Sequence, residues 1–175
     1  IKVEGYTISQ SALQILVERS DQVMDTILSN YEKLKMACVD KKITEEAVKT
    51  NVDLSLAQNI FAILEAALNQ NYQEAIIRLN DQLREGTNAI QLLAVFENQI
   101  ELLLVVKILA KRGRSEPQIV KELGVHPYRV KLAFRSRIQI NKLENLLAEA
   151  IKLEYNYKNG NYHDDNFIKM YILNV

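Results

Sequence analysis

The chain has 175 residues, with 22 Lys+Arg balanced by 22 Asp+Glu, 48% hydrophobic residues and 25% charged residues. This is the make-up of an ordinary globular protein, and zero net charge argues against free-standing nucleic-acid binding, because displacing counterions from phosphate calls for a cationic surplus. The single cysteine, Cys38, excludes an intrachain disulfide and fits a reducing, cytoplasmic setting.

No apolar run opens the chain, so no secretory signal is expected. The chain starts without Met and reads as a piece of something longer. The most apolar stretch, Leu102 to Val106, is far short of the roughly 20 residues a membrane span needs. Five Gly and two Pro are too few for the turns of an all-β protein. The expected fold is all-α: a small three-helix bundle followed by a larger helical domain, with the seam between Asn51 and Ser55.

Thr7 or Ser9 can cap a first helix in "SQSALQILVERS", whose apolar stripe is Ala12, Leu13, Leu16 and Val17. "VMDTILSNYEKLKMAC" makes a second, with Val23, Ile27, Leu28, Tyr31 and Leu34 inward, and Cys38 as a small half-buried residue rather than a nucleophile. "ITEEAVKTN" is a short helix capped by Thr44, with Glu45 and Glu46 favourable in its first turn. Beyond the seam, "LAQNIFAILEAALNQ" and "NYQEAIIRLNDQLREG" read as an antiparallel helix pair ended by Gly86.

Next, "TNAIQLLAVFENQIELLLVVKILAKRG" is apolar on most of its circumference, which marks a centrally buried helix. At about 1.5 Å per residue it spans roughly 35 Å. "IQINKLENLLAEAIKLEYNYKNG" is amphipathic through Ile138, Leu143, Leu146, Leu147, Ile151 and Leu153, and Gly160 stops it. The last helix, "DDNFIKMYILNV", has Asp164 or Asp165 as cap.

Catalytic and cofactor chemistry is not written here. There is no Gly-rich phosphate loop, and the two histidines, His126 and His163, stand in no metal-ligand spacing. His163 beside Asp164 and Asp165 reads as a polar helix start. No catalytic, cofactor-binding or metal-binding residue is assigned.

The segment from Glu116 to Arg137, "EPQIVKELGVHPYRVKLAFRSR", has the form of a helix-turn-helix. With Gly124 at the turn, Ile119, Leu123, Val125 and Val130 take core positions, and Pro127 opens the second helix, where proline is tolerated. Arg129, Lys131, Arg135 and Arg137, with Lys107, Lys111, Arg112 and Arg114 just before, make the region locally basic. Yet Val120 is bulky for the close helix crossing. His126, Pro127, Tyr128, Lys131 and Leu132 offer few of the paired hydrogen bonds that tell base pairs apart. A helical corner is also a common packing unit. Base reading, phosphate contact, and packing or subunit contact all stay open.

Several segments, in order, resemble the delta-subunit family of the bacterial DNA polymerase III clamp loader. "LGVHPYRVKLAF" is similar to its "lg-hP-x-x-v-k" segment. "LSNYEKLKMA" is similar to its "EleKL" helix through Glu32, Lys33 and Leu34. "LEYNYKNG" is similar to its "aD-x-x-iKtG" through Lys158 and Gly160, with Glu154 where Asp is usual. The "LL-x-x-x-x-x-q-x-x-LLL" helix, Leu92 to Leu104, fits as well. The resemblance covers essentially the whole chain.

It implies a helical lid of the AAA+ type over 1–52 and a helical collar over 53–175. The nucleotide-binding-type domain that carries the clamp-opening element lies outside these residues. It further implies a non-catalytic subunit of a DNA-directed DNA polymerase holoenzyme, without cofactors. Its partners would be other clamp-loader subunits, the sliding clamp through the outlying domain, and primer–template DNA. Tyr155, with Tyr157 as alternative, matches an aromatic placed near the primer end. Arg135 and Arg137 are further candidate DNA contacts; Arg129, Lys131 and Lys158 are candidate subunit contacts. The alternative is a helix-turn-helix DNA-binding regulator.

Overall fold

The computed structural model describes residues 4–162 and 165–175. These residues form ten helices and one pair of two-residue strands, in two compact units, Ile1–Gln58 and Asn59–Val175. The architecture is all-α, as composition and periodicity indicate.

The first unit runs β1 (Thr7–Ile8), α1 (Gln10–Arg19), α2 (Met24–Ala37), β2 (Lys42–Ile43) and α3 (Glu45–Asn51). Ser9, not Thr7, caps α1, its Oγ accepting from the Ala12 amide at 3.1 Å. Thr44 caps α3 in the same way, at 3.2 Å from the Ala47 amide. Each cap satisfies an amide that the helix itself leaves unpaired.

Ala12, Leu16, Leu34, Ile43, Val48 and Val52 fill the core, with Tyr31 edge-on to Tyr6 at 6.0 Å between ring centroids. Cys38 is buried in the same cluster, and burial, then Asp40, pushes its thiol pKa up. At the end of α3, Arg19 donates to the carbonyls of Lys49 (2.9 Å) and Val52.

Two details differ from expectation. The strands β1 and β2 pair in parallel, Thr7 opposite Lys42 and Ile8 opposite Ile43, too short to show alternation in the sequence. Val23, Leu28 and Leu13, expected inward, are 51%, 53% and 38% exposed. The buried face of α2 is narrow, made by Asn30, Tyr31 and Leu34, and Asn30 spends it on a hydrogen bond to the Ser20 hydroxyl (3.0 Å).

Helix α4 (Leu56–Leu68) starts at a reciprocal cap. The Ser55 amide donates to Gln58 Oε1 (3.2 Å) and the Gln58 amide to Ser55 Oγ (3.3 Å). The second unit continues with α5 (Tyr72–Arg84), α6 (Ala89–Lys111), α7 (Glu116–Leu123), α8 (Pro127–Arg135), α9 (Ile140–Lys158) and α10 (Asn166–Leu173).

Helix α6 begins in a capping box between Asn88 and Gln91 and buries Leu92, Phe96, Ile100, Leu103 and Val106. Helices α7, α8, α9 and α10 all pack on it, α9 most extensively. This is the arrangement its apolar circumference requires.

The principal neighbour of α5 is α10 rather than α4, so the expected α4–α5 pair is not the packing unit around α5. The buried face of α5 is Ala75, Leu79 and Gln82. Ile151, expected inward on α9, is 53% exposed; Leu143, Leu146 and Ala150 make the buried stripe. Asp165 stands at the cap position of α10 without a side-chain cap bond, while His163 and Asp164 lie outside the described residues.

Candidate interaction site

The helical corner from α7 to the start of α9 is built locally. The Ser115 amide donates to Gln118 Oε1 at 2.9 Å, fixing the entry to α7. Gly124 ends that helix at φ +63° and donates its amide to the Val120 carbonyl at 3.0 Å, a left-handed step that suits glycine. Pro127 is the first residue of α8, and His126 Nδ1 accepts from the Tyr128 amide at 3.2 Å. Ile119, Val130 and Ala133 are fully buried, so the corner is held by apolar packing against α6.

The cations fall into distinct environments. Lys107 is turned inward, donating to the Ser136 carbonyl at the end of α8. Arg114 pairs loosely with Glu122, at 3.8 Å. Arg129 is half-buried, and its Nε has no hydrogen-bond partner among the described residues. Lys131, Arg135 and Arg137 are exposed and form no ion pair among the described residues.

Beside this corner lies a cleft of about 720 Å3. Phe61, Leu64 and Leu68 of α4, Leu103 of α6 and Leu132 of α8 give it apolar surface; Arg135, Arg137 and Lys142 line it on the α8–α9 side, and Glu65 on the α4 side. Leu132, which would face bases in a DNA-reading corner, belongs to this lining.

The aromatic candidates sit at the other end of α9. Tyr155 is 68% exposed. Tyr157 is half-buried, its ring 5.3 Å from that of Phe167, on which Tyr162 also stacks at 5.4 Å. Lys158 pairs with Glu154 at 2.8 Å. Nearby on α6, Glu97 Oε1 is buried without a hydrogen-bond partner among the described residues. Burial raises its pKa, the negative charges of Glu154 and Glu101 add to the rise, and Lys158 opposes it.

From Lys142 to Tyr155 the helix rises about 20 Å, so the two groups of candidate residues do not converge. The contribution of α4 to the cleft is not visible in the sequence, where its apolar residues look like any core stripe. Glu97, half-buried, carries one signal in the sequence: it opens the short polar stretch Glu97, Asn98, Gln99 and Glu101 of a mostly apolar helix. Among the described residues no cluster of His, Cys, Asp or Glu is arranged to hold a metal ion, and no helix is long and apolar enough to cross a membrane.

Fold and corner together define an all-helical protein whose distinctive polar chemistry lies on the surface of its second unit. The family model described as "DNA polymerase III delta subunit, C-terminal domain" matches residues 57–175. The chain is 30% identical over 177 aligned positions to DNA polymerase III subunit delta of Bacillus subtilis (strain 168), covering 99% of this chain and 51% of that protein. It is 22% identical over 155 positions to the probable DNA polymerase III subunit delta of Aquifex aeolicus (strain VF5), covering 87% and 44%. The solved structure of the Bacillus subtilis DNA clamp loader delta protein (YqeN) superposes with a TM-score of 0.83 at 30% identity, over 99% of this chain and 52% of that one. The chain therefore belongs to the DNA polymerase III delta-subunit family, and it spans about half the length of the relatives it matches.

Proposed function

We propose that this chain is the lid and collar portion of a clamp-loader delta subunit, a non-catalytic part of a replicative polymerase holoenzyme that helps load the sliding clamp onto primed DNA. The observation that carries this reading is the near-complete superposition on a clamp-loader delta protein at 30% identity. In this reading the lid occupies about 1–52 and the collar 53–175. The collar's buried α6 gives a rigid platform for association with other loader subunits. Contact with the clamp falls to a domain outside these residues.

Of the two tyrosines, Tyr155 is the better placed to stack on a base near the primer end, because its ring is free while that of Tyr157 packs on Phe167. Lys131 and Arg129 suit a neighbouring subunit; Lys158, already paired with Glu154, has less to offer one.

The test is co-expression of the full-length protein with the other loader subunits, followed by size-exclusion chromatography and DNA binding. Co-elution, with weak duplex binding by the free subunit, is the expected result. A sequence-selective, steeply salt-dependent shift of duplex DNA by the protein alone, without subunit association, would establish the regulator instead.

A further inference from the structure

The cleft beside the α8–α9 turn joins two chemistries that the second unit does not itself use together. Phe61, Leu64, Leu68, Leu103 and Leu132 give an apolar floor, and Arg135, Arg137 and Lys142 give a cationic wall. None of these three cations has an ion-pair partner among the described residues. Among the described residues, Lys142 donates to the Asn174 carbonyl, at 3.5 Å. Phe61 and Leu68 are half-buried, so the floor is not fully shielded.

A nucleic-acid strand matches this surface poorly. Phosphates would meet the cations but leave the half-buried part of the floor, Phe61, Leu68 and Leu132, without an apolar partner, and base stacking needs open aromatic faces, of which the lining has only Phe61. An apolar centre flanked by arginine is instead the composition of a protein interface. An amphipathic helix laid into a groove matches both halves at once, its apolar face meeting the floor and carboxylates beside that face meeting the cations.

We propose that this cleft docks a helical protein segment that carries a few apolar side chains on one face with Asp or Glu alongside. The segment comes from a neighbouring subunit of the assembly proposed above, so the inference rests on that reading. The charges also fix its direction of lie: the acidic edge faces Arg135, Arg137 and Lys142, and the other edge faces Glu65.

The test uses the full-length protein in its loader complex, with the photo-crosslinking residue p-benzoylphenylalanine at position 68. Size-exclusion chromatography first reports co-elution with the other subunits. Irradiation and mass spectrometry then locate the crosslink. The expected result is a crosslink to an acidic, apolar helical segment of another subunit. It should fall by roughly tenfold in R135E/R137E/K142E and be restored when the acids of that segment are changed to lysine. Thermal melting checks that the triple variant folds; R137E alone, at an exposed position, gives a smaller loss in the same direction if it does not.

A complex that co-elutes but crosslinks to DNA, to a second copy of this chain, to its own outlying domain, to a basic segment or to nothing overturns the docking inference alone. Failure to co-elute overturns the subunit reading, and the docking inference with it.

Discussion

The hydroxyl of Tyr171, on α10, donates to the backbone carbonyl of Leu146, on α9, at 3.0 Å. The tyrosine is 1% exposed, and its ring stands edge-on to Phe96 of α6, 6.2 Å between centroids. One side chain thus ties three helices together. Burial, with the negative charges of Glu149 and Glu97 adding to it, drives its pKa far above the ordinary phenol value.

Tyr171→Phe keeps the ring and loses the hydrogen bond, at an expected cost of about 1 kcal/mol in urea unfolding. Tyr171→Ala leaves a cavity among α6, α9 and α10 and should cost about 3–5 kcal/mol. Equal losses for the two variants would contradict a role for the ring in packing.

Glu97 predicts a pH effect whose sign follows from its raised pKa. A carboxyl with a higher pKa folded than unfolded contributes stability below the unfolded pKa of about 4.5. That contribution disappears as pH rises through the folded value, because the charged form is held where burial and the neighbouring acids oppose it. Glu97→Gln should therefore raise stability at pH 7, by an amount that solvent screening of this partly exposed carboxyl keeps small, and make little difference below pH ~4.5. Thermal melts across that range check it; a variant destabilised at pH 7 counts against it.

Tyr155 separates contact from folding. Its exposed ring makes Tyr155→Ala nearly neutral for stability, within about 0.5 kcal/mol. On the function proposed above, the same change in the assembled loader should weaken primer–template binding by about 1–3 kcal/mol, the worth of one base stack, and Tyr155→Phe should bind like the wild type. Unchanged DNA affinity in the alanine variant would remove Tyr155 from the DNA-contacting surface.

Gly124 is a backbone test of the corner. At φ +63°, with nothing within 4 Å of where a Cβ would stand, Gly124→Ala meets conformational strain but no clash. The expected cost is about 1–2 kcal/mol, read as a lower melting temperature.

Much of this fold is legible in the residues. The apolar circumference of α6 announces a central helix, and the caps at Ser9 and Thr44 and the glycine at 124 mark helix ends. Long-range choices are less visible. Nothing in the α5 sequence names α10 as its neighbour, and the spacing that placed Val23, Leu28 and Ile151 inward is the same whether an apolar side chain is buried or left at the surface. The cleft escaped for a related reason. Its cations are evident in the sequence, but its floor comes from α4, dozens of residues earlier, and only the folded chain sets Phe61 and Leu68 beside Arg135.

The pairing of β1 with β2 bears on the order in which the first unit assembles. Thr7 and Lys41, joined through both the Thr7 amide (2.9 Å) and its hydroxyl (3.4 Å), are 34 residues apart in sequence. Helices such as α1 and α2 form from neighbouring residues within about a microsecond, whereas a contact spanning so long a loop carries its closure entropy before it returns any stability. A strand pair that closes after α1 has met α3, whose packing spans a loop of similar length, would act as a latch on the packed unit. Weakening it should speed unfolding while leaving the refolding rate almost unchanged.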